Sequence, residues 1–253
     1  MARIMAIANQ KGGVGKTTTA VNLSASLAFF NKKILLVDCD PQGNATEGLG
    51  IKKSSVDKTV YDVLINNLDA KNTLLTTPFG VTIIPANINL AGAEVEMVHF
   101  KSREMLMRMA LDKVRADFDF ILIDCPPSLG LLTVNALTAA DSIIIPIQCE
   151  FYALEGVAQL LSTIDNVRSR YNPLLSFEGL LMTMFDIRTN LSKQVVEEVK
   201  SNFGGLVYET IIPRSVRLAE APSYGKPVID YDSRSRGAEV YLRLAEEVLG
   251  RVK

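Results

Sequence analysis

A short apolar run, Arg3–Ala8, leads directly into Gln10-Lys11-Gly12-Gly13-Val14-Gly15-Lys16-Thr17-Thr18-Thr19, and a helical pattern, Lys16–Phe30, begins inside that loop. Few folds accommodate a glycine-rich loop held between a strand and a helix N-terminus. Glycines let successive backbone N–H groups turn inward toward an anion, and the helix dipole adds favourable potential at the same place. In such a phosphate cradle Lys16 reaches the β- and γ-phosphates of a nucleotide, and the Thr17 hydroxyl ligates Mg²⁺. The spacing departs from the usual one. With four residues intervening before Gly15-Lys16-Thr17, the first glycine position falls on Gln10, and an extra lysine, Lys11, follows it.

The rest of the chain alternates in the same way. Strand candidates are Arg3–Ala8, Lys33–Asp38, Val81–Pro85, Phe118–Asp124, Ser142–Ile147, Gly179–Met184 and Val207–Ile212. Most are apolar throughout, as parallel strands covered on both faces are. Helical patterns fall between them. In Ser102–Ala116 the stripe is Met105, Leu106, Met109, Ala110 and Val114; in Asn190–Phe203 it is Leu191, Val195, Val199 and Phe203; in Gly237–Val252 it is Ala238, Tyr241, Ala245, Val248 and Val252. Residues 48–80 are the least regular and are expected to hold short helices and loops. Strand, helix, strand along the chain predicts an α/β fold, a mostly parallel twisted sheet flanked by helices with right-handed crossovers. The 253 residues are expected to form one large domain, with no repeat and no linker.

Composition narrows the function classes. Hydrophobic residues make up 48% and charged residues 22%, a globular profile that excludes disorder. No stretch approaches the roughly eighteen consecutive apolar residues of a transmembrane helix, and Ile4–Ala8 is too short for a signal peptide. Three cysteines, Cys39, Cys125 and Cys149, fit neither a paired framework nor a metal spacing. A reduced, cytoplasmic setting is expected. Lys and Arg number 27 against 28 Asp and Glu, a net charge of −1, which excludes a globally basic nucleic-acid binder but leaves room for a local patch.

Three carboxylates sit where strands run out: Asp38 and Asp40 in Leu36-Val37-Asp38-Cys39-Asp40-Pro41-Gln42-Gly43, and Asp124 in Ile123-Asp124-Cys125-Pro126-Pro127-Ser128. Ligands of open α/β sheets bind beyond the carboxyl ends of strands. An Asp there can hold Mg²⁺ or a water beside the phosphate loop. One such Asp alone is more simply a helix cap; three converging on a phosphate loop point to function. Asp38 and Asp40 share a face if the backbone stays extended, and Cys39 then points the other way. Cys39 and Cys125 read as small buried residues beside the site. His99, the only histidine, has no neighbours that suggest catalysis.

The segments KGGVGKTTTAVNL, LLVDCDPQGNATEGLG, ILIDCPPSLGLLTVNAL, IIPRSVRLAEAPSYGKPVIDYD and SRGAEVYLRLAEEV, in this order, resemble the ParA/Soj family of partition ATPases, of the deviant Walker A class. The similarity spans nearly the whole chain, without an added N-terminal helix-turn-helix domain, as in the short chromosomal Soj-like branch. The resemblance implies a cytoplasmic, nucleoid-associated ATPase that uses ATP and Mg²⁺. It also implies an ATP-bound sandwich homodimer binding double-stranded DNA without sequence preference, and a ParB-type partner that stimulates hydrolysis and resets the monomer. Residue by residue, it implies that Lys11 is the signature lysine reaching the partner's nucleotide and that Gly12 sits at the dimer contact. Gly13, Val14, Gly15, Lys16, Thr17 and Thr18 would wrap the phosphates. Asp40 would position the attacking water, and Thr17, Asp40 and Asp124 would lie around Mg²⁺. Met184, Pro213, Arg214 and Ser215 would pack on adenine, with Ser215 where the family often has Asn.

Charge supports a DNA patch. From Ile212 to Arg236 five basic residues, Arg214, Arg217, Lys226, Arg234 and Arg236, stand against Glu220, Asp230 and Asp232. Arg188 precedes the Asn190 helix, which carries Lys193 and Lys200. Such residues contact phosphates and read no bases. Arg188 and Arg217 match family DNA positions, with Lys200, Lys226 and Arg236 as further candidates; two patches in a dimer would multiply affinity. The alternative is a membrane-associated division-site ATPase like MinD, which needs a basic amphipathic C-terminal helix. The helix here carries Glu239, Glu246 and Glu247 and reads as docked on the sheet, so no stable membrane association is expected. An electron-transfer ATPase like the nitrogenase iron protein would need cluster ligands, and Cys39 and Cys125 already fall within the nucleotide motifs. A small-molecule kinase or ligase on the same fold fits the signature lysine and the C-terminal half less well.

Overall fold

Parallel strands buried on two faces place apolar side chains alternately above and below the sheet, and the chain does this strand after strand. The computed structural model describes residues 1–151 and 155–251, the side chains of 155 and 156 excepted. The strands are β1 (Arg3–Ile7), β2 (Ile34–Asp38), β3 (Leu75–Thr76), β4 (Val81–Ile84), β5 (Phe120–Asp124), β6 (Ser142–Gln148) and β7 (Ser176–Thr183). Between β1 and β5 lie α1 (Lys16–Phe29), α2 (Asn44–Gly48), α3 (Val60–Leu64), α4 (Leu90–Glu96) and α5 (Leu106–Asp112). Beyond β5 come α6 (Leu131–Ala139), α7 (Glu155–Arg170), α8 (Asn190–Phe203), α9 (Val216–Glu220), α10 (Val228–Tyr231) and α11 (Arg236–Gly250). The sheet runs β3-β4-β2-β5-β1-β6-β7, and only β3 is antiparallel to its neighbour.

Each face has its own core. Ile4, Ala6, Leu35, Val37, Ile121, Ile123, Ile143 and Ile145 point to the side covered by α3 to α8. Met5, Ile7, Leu36, Leu122, Ile144 and Leu181 point to the side covered by α1, α2 and α9 to α11. Helix α1 is sandwiched between the sheet and α11, where the Thr19 and Tyr241 hydroxyls share a buried hydrogen bond of 3.2 Å. Asn22 in α1 accepts from the Val228 N–H at 2.7 Å and so ties down α10. α8 and α11 start on side-chain caps, Thr189 accepting from the Ser192 N–H and Ser235 from the Ala238 N–H.

The expected α/β sheet is present, and six of the seven expected strands form, with shifts of no more than two residues at their ends apart from one of three at the start of β7. The seventh, Val207–Ile212, does not. It runs beside β7 but keeps only bridges at Val207 and Pro213, because the Glu247 carboxylate of α11 takes the Glu209 N–H (2.9 Å) and Thr210 N–H (3.1 Å). The Ser102–Ala116 helix is shorter than expected. α5 begins where Asn135 accepts from the Met107 N–H at 3.1 Å, and its buried face is Met107, Ala110 and Leu111, with Val114 following, so Met109 is half exposed. In α8 the buried face is Ser192, Val195 and Val199, and Leu191 in the first turn is exposed. Val252 lies outside the described residues. Residues 48–80 do hold short helices and turns, α3 among them.

Candidate nucleotide site

β1, β2 and β5 are adjacent and in register, so their ends bring the phosphate loop, Asp38 and Asp124 together: Ile7 pairs with Asp124, and Asp124 with Asp38. The loop is anchored at both ends. The Asn9 side chain donates to the Pro146 carbonyl at 2.7 Å and accepts from the Lys11 N–H at 3.0 Å. The Val14 carbonyl accepts from the Thr183 hydroxyl at 2.8 Å, joining the loop to β7. Gly15 closes the loop at φ +91°, a left-handed conformation that a side chain would strain. Gly12 and Gly13 are exposed, with nothing within 4 Å of where a Cβ would stand.

Lys16 is buried beneath the loop, and its ammonium donates to the Lys11 carbonyl at 3.0 Å. Burial holds its pKa below the usual lysine value, opposed by the nearby carboxylates of Asp124 and Asp40. Asp124 is fully buried, and neither carboxylate oxygen makes a hydrogen bond of standard geometry among the described residues. Burial, then the nearby Asp38 charge, push its pKa well up, while the Thr17 hydroxyl and Lys16 favour its charged form. A buried carboxylate with two unpartnered oxygens, facing a threonine hydroxyl and a lysine, suits a divalent cation that neutralises it.

Asp40 is buried and accepts from the Gln42 N–H at 2.9 Å. Asp38 faces inward and is fully saturated: it accepts from the Thr46 N–H (2.8 Å), the Thr46 hydroxyl (2.7 Å) and the Asp40 N–H (3.2 Å). Burial pushes its pKa up to about 6 against those hydrogen bonds. Cys39 and Cys125 are fully buried, and burial pushes both thiols up, so they stay protonated at neutral pH. His99 is exposed.

Beside the loop lies a cleft of about 310 Å³ lined by Gly15, Thr18, Met184, Pro213, Arg214 and Ser215. The structure thus brings the sequence-predicted adenine residues to the phosphate loop. Met184 takes φ +54°, turning the chain from β7 into the cleft wall.

The basic residues are more scattered. Arg188, Arg214 and Arg236 line one surface cleft of about 410 Å³. Lys226 instead lines a separate cleft with Thr17 and Thr18, and Arg217 and Lys200 line neither. Most are already paired. Arg188 donates twice to Asp186, at 2.9 and 2.7 Å, and holds that carboxyl down at about 2. Arg217 pairs with Glu220 and Asp232, Lys200 with Glu209, and Arg214 with Glu150. Sequence reading counted Glu220 and Asp232 against this stretch but missed Asp186, Glu209 and Glu150, which lie outside the Ile212–Arg236 segment weighed for charge. It also missed Thr46, whose signal was only a hydroxyl eight residues after Asp38.

Comparison with known proteins agrees with this geometry. A family described as an AAA domain matches residues 2–177. The chain is 60% identical over 249 residues, 98% of each chain, to the sporulation initiation inhibitor protein Soj of Bacillus subtilis. It is 55% identical to the chromosome partitioning protein ParA of Myxococcus xanthus, covering 98% of this chain and 88% of that one. Among solved structures it resembles a Mycobacterium smegmatis protein described as cobyrinic acid a,c-diamide synthase with bound ATP analog and magnesium, at TM-score 0.87 and 40% identity over 98% and 95% of the two chains.

Proposed function

The chain belongs to the ParA/Soj family of chromosome-partitioning ATPases, and on that premise we propose that its ATP-bound form is a homodimer that binds DNA without sequence preference and is reset by hydrolysis. It is a partition ATPase, converting ATP to ADP and phosphate with Mg²⁺. The synthase description of the solved neighbour carries less weight, because the partitioning relatives are more similar: 60% and 55% against 40% identity.

The observation that carries the site assignment is the buried, unpartnered Asp124 beside Thr17 and Lys16. ATP would lie with its phosphates on residues 11–18 and its base in the cleft of Met184, Pro213, Arg214 and Ser215. Lys16 exchanges its bond to the Lys11 carbonyl for phosphate oxygens. Thr17 and Asp124, with Asp40 nearby, would hold Mg²⁺, which when bound neutralises developing phosphate charge. Asp40 positions the attacking water. The open space around Gly12 supports a partner chain approaching the loop there, with Lys11 reaching the partner's nucleotide.

Residues 1–253 act as one P-loop ATPase domain in this proposal, and the protein associates with the nucleoid through DNA. A ParB-type partner stimulates hydrolysis. No helix among the described residues is long and apolar enough to cross a membrane. A MinD-like membrane role is disfavoured by α11, whose apolar residues Ala238, Tyr241, Leu244, Ala245 and Val248 are buried in the core. The test is size-exclusion chromatography of Asp40→Ala with ATP and with ADP: a dimer with ATP alone is expected, and a monomer in both would reject the ATP-dependent dimer.

A further inference from the structure

The loop that carries Asp40 leaves β2 at Cys39 and returns at Thr46, and one side chain closes it. Thr46 gives its hydroxyl proton and its N–H to the same Asp38 oxygen, at 2.7 and 2.8 Å. Its oxygen then accepts from the Ala86 N–H at 3.0 Å, just beyond β4. The other Asp38 oxygen accepts from the Asp40 N–H at 3.2 Å. All these groups are buried: Asp38, Thr46 and Ala86 are 0% exposed and Asp40 8%. The loop also lies hard against β4, for a Cβ at Gly43 would stand 2.8 Å from the Ala86 carbonyl.

We propose that the Asp38–Thr46–Ala86 hydrogen-bond clamp is a positioning device for hydrolysis, in which Thr46 acts through Asp38 to fix the backbone that aims Asp40. The inference rests on the proposed role of Asp40. A buried threonine hydroxyl is chemically suited to this, because it donates and accepts at once. Valine has the same shape but can do neither; it would strip Asp38 of its hydroxyl donor and orphan the Ala86 N–H. Asp40 is joined to Asp38 through its own N–H, so slack in the clamp becomes slack in the carboxylate. The phosphate loop has separate anchors, at Asn9 and Thr183. Loosening the clamp therefore affects hydrolysis and spares nucleotide binding.

The experiment compares wild type, Thr46→Val, Thr46→Ser and Asp40→Ala by single-turnover hydrolysis of ATP with Mg²⁺, and by calorimetric ATP affinity. Thermal melting selects a temperature at which each is folded. Misplacement on the order of 1 Å costs up to about 100-fold in rate. Thr46→Val should hydrolyse at least about tenfold more slowly with ATP affinity within about twofold of wild type, and Thr46→Ser should recover most of the rate. A Thr46→Val rate equal to wild type beside an inactive Asp40→Ala would overturn the clamp while leaving the Asp40 reading intact. So would a matched loss of affinity and rate that Ser does not repair, since that marks a merely structural residue. Wild-type hydrolysis by Asp40→Ala would instead remove the reading on which the clamp rests.

Discussion

At the residue scale the site is a balance between buried charges. Lys16, Asp38, Asp40 and Asp124 are all withdrawn from water, and only Asp38 is saturated with hydrogen bonds, from Thr46 and Asp40. Lys16→Ala removes the point charge meant for the β/γ-phosphates, so calorimetry should show tight ATP binding lost; unchanged affinity would reject the phosphate-loop assignment. Asp124→Asn removes a buried carboxyl whose charged form burial penalises. It should raise the melting temperature of the nucleotide-free protein at pH 7, by a gain on the order of 1 kcal/mol, while Mg²⁺-dependent hydrolysis collapses. The sign follows from linkage. Asp38 holds its proton more tightly in the fold, at about 6 against 3.8 unfolded, and Asp124 is raised too. The Asp38 contribution to stability is greatest below the unfolded value and is lost as pH rises through about 6, and that of Asp124 declines in the same direction. A pH series of melting temperatures should show this decline in wild type and a shallower one in Asp124→Asn. The strand-end carboxylates and KGGVGKT were legible because chemistry and position coincide in a few consecutive residues. Thr46 was not, since its role exists only once the loop has folded back onto Asp38.

At the element scale, legibility followed sidedness. Strands such as Phe120–Asp124 read clearly because both faces are covered, leaving an unbroken apolar run. Helix α6 has no polar face to give it a period: Leu132, Thr133, Asn135, Ala136 and Leu137 are all buried, so sequence reading passed it over. The Val207–Ile212 segment looked like a strand and lost its ladder to a side chain 38 residues away, Glu247, which no local pattern announces. That detour suggests a test. Glu247 holds the backbone leading into Pro213, Arg214 and Ser215, so Glu247→Ala should loosen one wall of the proposed adenine cleft. ATP affinity should fall several-fold with the single-turnover rate at saturation little changed; an equal effect on both would place the role of Glu247 elsewhere.

At the scale of the whole molecule, the proposed DNA binding would draw its nucleotide control from the way the basic residues are paired. Arg188, Arg217, Lys200 and Arg214 each face an acidic partner, so in one protomer these four offer little free positive charge. Such exposed pairs are weak, and DNA phosphates can exchange for them. Two protomers together can supply enough contacts. Gly12→Val should keep ATP binding but stay monomeric by size-exclusion chromatography, because its side chain would fill the open approach to the loop. Arg188→Ala with Arg217→Ala should weaken binding equally on unrelated duplexes and lower the salt slope by roughly 0.9 per lost contact. The proposal as a whole turns on one measurement: fluorescence anisotropy of a labelled duplex of arbitrary sequence titrated with the protein in ATP, in ADP and without nucleotide. Tight binding with ATP, little without it, and retention of the ATP-dependent affinity by Asp40→Ala are expected. Equal binding in all three conditions would contradict a nucleotide-gated DNA-binding dimer.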